Sequence, residues 1–115
     1  MNGIEILEYD GKGYHSTMHF ESWRVAIANF GEHFDREAYN YLERHMGTDE
    51  VFVLLRGQAS LITGKDFDEI PMEPCKIYNV KKEVWHAMLM EPDAKVLIVE
   101  NQNTAAENTE YYYFR

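Results

Sequence analysis

His45 to Gly57 reads HMGTDEVFVLLRG. A histidine is followed by the polar turn Met46-Gly47-Thr48-Asp49. Then come Glu50, an apolar run from Val51 to Leu55, Arg56 and a glycine. Turn residues between runs of β-formers predict two strands joined by a short connection. Successive strand residues point to opposite faces. The run Asn40 to His45 therefore sets Tyr41, Glu43 and His45 on one side, and Leu42 and Arg44 on the other. Glu50, Phe52 and Leu54 share a side of the next run. Further on, His86, Met88 and Met90 share a side as well. If the first two runs pair through the turn, Glu43, His45 and Glu50 converge. They are then either the solvated flanks of a turn or a group of metal ligands at the mouth of a barrel.

Outward from this stretch the same signals repeat. Ile4 to Tyr9, Arg24 to Phe30, Ala59 to Thr63, Lys76 to Val80, Ala87 to Met90, Lys95 to Glu100 and Glu110 to Phe114 all read as short strands. Between them lie Asp10-Gly11-Lys12-Gly13, Thr63-Gly64-Lys65-Asp66, Pro71-Met72-Glu73-Pro74 and Glu91-Pro92-Asp93. Many short strands at this spacing predict an all-β sandwich or barrel. One region competes. Phe20, Trp23, Ile27 and Phe30 also fit helical spacing, and a helical domain built on Phe20 to His45 is the contrary reading. A strand at Arg24 to Phe30, with at most one helical turn near Asp35, is the preferred one.

The length of 115 residues suits one domain, residues 1–115, with a core of its own. A single cysteine, Cys75, excludes an intramolecular disulfide and points to a reducing, cytoplasmic setting. No cationic start leads into an apolar stretch at MNGIEILEYD, and no apolar run approaches the ~20 residues of a membrane-spanning helix. Twenty acidic residues against 11 basic ones give a net charge of −9. That surface repels phosphate, so neither nucleic acid nor an anionic membrane is an expected partner.

The quoted stretch resembles the first motif of the cupin superfamily, which reads His-x-His, three or four residues, Glu, six residues, Gly. Here it is Glu43-x-His45, four residues, Glu50, then VFVLLR, then Gly57. The family's second motif reads Gly, five residues, Pro-x-Gly, two residues, His. Its counterpart is CKIYNVKKEVWH, from Cys75 to His86. The resemblance spans roughly Tyr41 to Glu100. It implies a small antiparallel jelly-roll barrel with metal ligands at Glu43, His45, Glu50 and His86. There are departures. Glu43 replaces the first histidine, and Glu37, Cys75, Lys81 and Glu83 replace Gly, Gly, Pro and Gly. The lost turn residues of the second motif suggest a different loop shape before His86.

Glutamate in place of histidine keeps the site chemically competent, because two histidines with carboxylates suit a divalent ion. Manganese, iron or zinc is expected, with nickel admissible and soft Cu(I) disfavoured. Were Glu43 not a ligand, it would hydrogen-bond to Arg24 or a tyrosine. His15, His19 and His33 fall outside both motifs, and Cys75 reads as a structural thiol. Tyr41, Phe52, Tyr78, Trp85 and Met88 are core or pocket side chains.

Two functions follow. One is a metal-dependent isomerase, lyase or dioxygenase of a small sugar-like or organic-acid-like molecule. The other is a non-enzymatic small-molecule-binding or regulatory barrel without metal. The sequence leaves catalysis open, since no general base is apparent. The aromatic tail YYYFR, Tyr111 to Arg115, needs cover from the barrel or from a second copy. A homodimer formed through a sheet edge is therefore expected.

Overall fold

The structure is a computed structural model that describes residues 2–115. Ten strands make two antiparallel sheets: β1 (Gly13–Phe20), β2 (Trp23–Asn29), β3 (Tyr41–His45), β4 (Glu50–Arg56), β5 (Ala59–Thr63), β6 (Asp68–Pro71), β7 (Tyr78–Val80), β8 (His86–Met90), β9 (Lys95–Asn101) and β10 (Thr109–Tyr113). One sheet has the order β1-β2-β9-β4-β7 and the other β10-β3-β8-β5-β6. The all-β jelly-roll expectation is met. Among the described residues there is no α-helix, only 3-10 turns at Glu32–Phe34 and Ala106–Asn108. The helical reading of Phe20 to His45 is thereby set aside. Among the described residues no helix is long and apolar enough to cross a membrane.

The two sheets face each other across a core of alternate side chains. Ala26 and Ala28 of β2, Phe52 and Leu54 of β4, Met88 and Met90 of β8, and Val96 and Ile98 of β9 are all buried in one cluster. A second cluster lies on the outer face of the other sheet. Leu42, Ile62 and Leu89 are buried there beneath Tyr39, Trp85, Tyr112 and Phe114. Arg44 and Lys65 stand over the rings of Trp85 and Tyr112, at 4.5 and 4.3 Å. The C-terminal strand pairs with β3. It thus turns Tyr112 and Phe114 onto this cluster, while Tyr111 and Tyr113 face the other way and stay partly exposed.

The expected strand at Ile4 to Tyr9 is not one. The segment has no strand partner, and Ile4, Ile6 and Leu7 are exposed. Alternating isoleucines mark a strand only when an edge is available to pair. β1 and β6, which the sequence reading passed over, are mostly exposed edge strands.

Gly57 has φ +74°, and a Cβ there would lie 2.6 Å from Ala94 Cα and 2.7 Å from the Asp93 carbonyl oxygen. Backbone contact and a left-handed conformation together demand glycine at the end of the quoted stretch. At Cys75 and Glu83 the backbone is also left-handed, with φ +67° and +70°. These two positions are where the family motif has glycine. The turn before β7 and the loop before His86 thus keep a glycine-like backbone with side chains that oppose it, at a cost of about 1 kcal/mol each.

Candidate functional site

Register and parity bring the four sequence-selected residues together. Glu43 on β3 lies opposite His86 on β8. His45 ends β3, and Glu50 opens β4 on the facing sheet. The connection between them is fixed by Asp49. Its carboxylate accepts the Lys82 backbone N–H at 2.9 Å and the Asn79 side-chain amide at 3.0 Å. Those two bonds hold its pKa below the ordinary value. The Glu83 N–H donates to the His45 carbonyl at 2.8 Å, which ties the His86 loop to the end of β3. The Lys82 and Glu83 contacts use backbone N–H groups, so they do not depend on the side chains that stand at those positions.

Glu50 is the centre of the group. Its Oε1 lies 3.0 Å from His45 Nε2 and 2.9 Å from His86 Nε2. All three side chains are buried. On the far side, His86 Nδ1 lies 3.0 Å from the Val84 carbonyl oxygen and His45 Nδ1 lies 3.0 Å from Thr109 Oγ1. A carbonyl only accepts, so Nδ1 of His86 carries a proton. Its Nε2 then faces Glu50 either as part of an imidazolium or as a bare lone pair beside a cation. Glu43 is half-buried, with Oε1 3.8 Å from His45 Nε2. That is too long for a hydrogen bond but within reach of a common ion. Oxygen and nitrogen atoms of Glu43, His45 and His86 all lie within 4.8 Å of one another.

The charges lean on each other. Burial alone would push His45 and His86 down, but the hydrogen bond and negative charge of Glu50 outweigh it and raise both. Burial would push Glu50 up, yet the two imidazoles outweigh that and hold it well below the carboxylate range. Donors and acceptor therefore attract one another.

Sequence reasoning missed Glu100. It sits on β9 directly opposite Arg24, and its carboxylate is buried in the same group. Glu100 Oε1 is 3.9 Å from His45 Nε2, and donor atoms of His45, Glu50 and Glu100 also lie within 4.8 Å of one another. The Tyr14 hydroxyl donates to Oε2 at 2.6 Å, and Arg24 Nη2 donates to the same oxygen at 3.3 Å. Arg24 Nε also donates to the Tyr14 oxygen at 3.0 Å. Arg24 thus serves Glu100 and not Glu43. Burial, then the charge of Glu50, raises the Glu100 pKa. A signal existed in the sequence: Val96, Ile98 and Glu100 share a strand face, and a carboxylate there is anomalous. Of the histidines outside the motifs, His15 stacks on Tyr9 at 4.2 Å and His33 reaches the Tyr41 hydroxyl at 3.2 Å.

These side chains line a cavity of about 240 Å³. Its polar floor is Glu43, His45, Glu50, His86 and Glu100, and its walls include Phe52, Met88 and Ile98. Tyr41 and Tyr111 stand on adjacent strands, with ring centroids 5.3 Å apart, and both line the cavity. Burial raises the Tyr41 hydroxyl to a pKa of about 12, so it remains a neutral donor at physiological pH.

No family model matches the chain, and no curated protein matches it by sequence. Solved structures do match in shape. One is a cupin-2 domain containing protein from Shewanella frigidimarina, with a TM-score of 0.64 and 15% identity over 82% of this chain and 85% of that one. Pac13, a Streptomyces protein described as a nucleoside dehydratase, matches with a TM-score of 0.67 and 12% identity over 94% and 86%. KdgF from Halomonas sp. matches with a TM-score of 0.62 and 15% identity over 88% and 91%. At such identities the likeness is one of fold.

Proposed function

We propose, taking the cupin fold of this chain as the premise, that the barrel holds a divalent metal ion and binds a small oxygen-rich molecule above it. The observation that carries this is the meeting of two imidazole nitrogens on one buried carboxylate oxygen, at 3.0 and 2.9 Å. The Val84 carbonyl fixes the tautomer of His86 so that, when neutral, its lone pair faces the group. His45, Glu50 and His86 would hold the ion, with Glu43 completing the set. Two histidines with carboxylates suit Mn²⁺, Fe²⁺ or Zn²⁺, with Ni²⁺ admissible.

A bound ion would supply Lewis acidity toward substrate oxygens. The chain supplies the rest. Tyr41 and Tyr111 line the cavity, and Phe52 and Met88 would contact the apolar part of a ligand. A sugar-like or organic-acid-like molecule fits that mix, and isomerisation, lysis or dioxygenation are the reaction classes to assay. Melting curves with each ion test the metal. One ion should raise the melting temperature of the wild type while leaving His45→Ala and His86→Ala where they were, because only the folded site binds it. If no ion shifts the wild type more than the variants, the metal is abandoned.

A second reading is a metal-free small-molecule-binding or regulatory barrel. The approach of both imidazole Nε2 atoms to Glu50 Oε1 favours it, since that trio can satisfy itself without an ion. In that case chelator changes nothing and ligand binding persists in its presence.

We also propose that the chain pairs with a second copy through a sheet edge. Edge strands β1 and β10 and the exposed Ile4, Ile6 and Leu7 support this. Light scattering should give twice the chain mass, and a monomer at every concentration would refute it.

A further inference from the structure

Glu100 Oε1 is a carboxylate oxygen at the heart of the site. It is fully buried, and among the described residues it has no hydrogen-bond partner. Burying a carboxylate oxygen with nothing to accept from is costly. The other oxygen of the same group is supplied twice over, by the Tyr14 hydroxyl at 2.6 Å and Arg24 Nη2 at 3.3 Å. Those bonds fix the carboxylate plane. They leave Oε1 aimed at His45 Nε2, 3.9 Å away, in the cavity that Glu43, Glu50 and His86 also line.

We infer that Glu100 is a further ligand to the ion proposed above, with Tyr14 and Arg24 as positioning residues that leave Oε1 free to meet it. This rests on the metal reading. His45 belongs to both donor groups, the one with Glu43 and His86 and the one with Glu50 and Glu100, and its Nε2 lies 3.8, 3.0 and 3.9 Å from oxygens of Glu43, Glu50 and Glu100, so the two groups meet at that atom. Three carboxylates around a divalent ion leave one negative charge, and Arg24, bonded to Glu100, is the buried cation that offsets it. Five donors rich in oxygen favour Mn²⁺ or Fe²⁺ over Zn²⁺, whose sites are mostly tetrahedral.

Calorimetric titration of the full chain with Mn²⁺ and with Zn²⁺ tests this on wild type, Glu100→Gln and Tyr14→Phe. Glu100→Gln should weaken Mn²⁺ by about 100-fold and Zn²⁺ by less than about 10-fold, and Tyr14→Phe should weaken Mn²⁺ by about 10-fold. A merely structural role would weaken both ions alike. Diffraction from crystals of the Mn²⁺-loaded wild type needs no variant and covers the case in which Glu100→Gln fails to fold. Glu100 Oε1 within about 2.2 Å of the ion supports the inference. Mn²⁺ binding unchanged in Glu100→Gln, or Oε1 beyond about 3 Å, overturns it and leaves the metal reading standing. A wild type that binds neither ion overturns both.

Discussion

β4, β8 and β9 each build two different ends of one barrel. At one end their inward side chains are Glu50, His86 and Glu100. At the other they are Leu54, Met90 and Val96, all buried and apolar. Phe52, Met88 and Ile98 lie between. The apolar end is closed by the left-handed turn at Gly57, against the backbone of Asp93 and Ala94. The polar end opens on the cavity. Strand parity is the same at both, so the difference comes only from which residue type the sequence places at each inward position. The apolar end adds stability in proportion to area removed from water. The polar end spends some of it, because buried charges gain only what their partners return.

Removing contact at the apolar end should have the largest effect. Leu54→Ala should lower stability by about 3 kcal/mol, seen as a lower denaturant midpoint at constant slope. A loss under about 1 kcal/mol would show that this end is not the stabilising one.

The next effect is a change of sign with pH. His45 and His86 have pKa values raised above their ordinary 6.5, so what they add to the ion-free fold is complete below about that pH and is lost as pH rises through the folded values. Glu100, also raised, contributes in the same sense. Glu50, lowered, contributes throughout this range and fails only in acid. Ion-free stability should therefore fall from pH 6.5 upward, by about 1 kcal/mol per pH unit where one group titrates. Ion binding needs neutral imidazoles, so the stabilisation by added ion should grow over the same range. Melting temperatures at several pH values, with chelator and with Mn²⁺, give both slopes. Parallel slopes would remove the ion from the comparison.

A matched pair of substitutions touches each end. Cys75 follows Pro74, which bridges to Leu54 at the apolar end, and Glu83 bonds the His45 carbonyl at the polar end. Cys75→Gly and Glu83→Gly should each add about 1 kcal/mol by relieving a left-handed backbone. Equal gains would show local strain alone, and a loss at either position would mean its side chain has a use. Smallest of all, Glu43→Gln should change ion-free stability by only a few tenths of a kcal/mol, because Glu43 is half-exposed and forms no close pair. Its measure is Mn²⁺ affinity, expected to fall by about 10-fold.

The polar end was more legible in the sequence than the molecule's edges. Alternation placed Glu43, His45, Glu50 and His86 correctly because their strands are covered on the inner face, which enforces a period of two. β5 was read to the residue, Ala59 to Thr63. β1 and β6 escaped because edge strands carry polar residues on both faces and so lose the pattern. The sequence Asp68-Glu69-Ile70-Pro71 is exposed throughout. Ile4 to Tyr9 misled for the converse reason, having a pattern but no partner. Converging carboxylates and imidazoles need not repel one another without an ion, because both imidazoles meet Glu50 Oε1. Glu100 was hidden by distance: its partner Tyr14 is 86 positions away. No local motif reports a contact made across an intervening strand.

That span has a consequence for synthesis. The chain leaves the ribosome from its N-terminus, and Tyr14 emerges long before Glu100 can meet it. His45 acquires its Thr109 partner later still, from the strand that pairs with β3. A nascent chain stalled before β9 holds His45, Glu50 and His86 without the groups that orient the site around them. On the metal reading proposed above, ion capture would wait until β9 and β10 have been made. On that reading the order of synthesis would keep the half-built barrel from loading early.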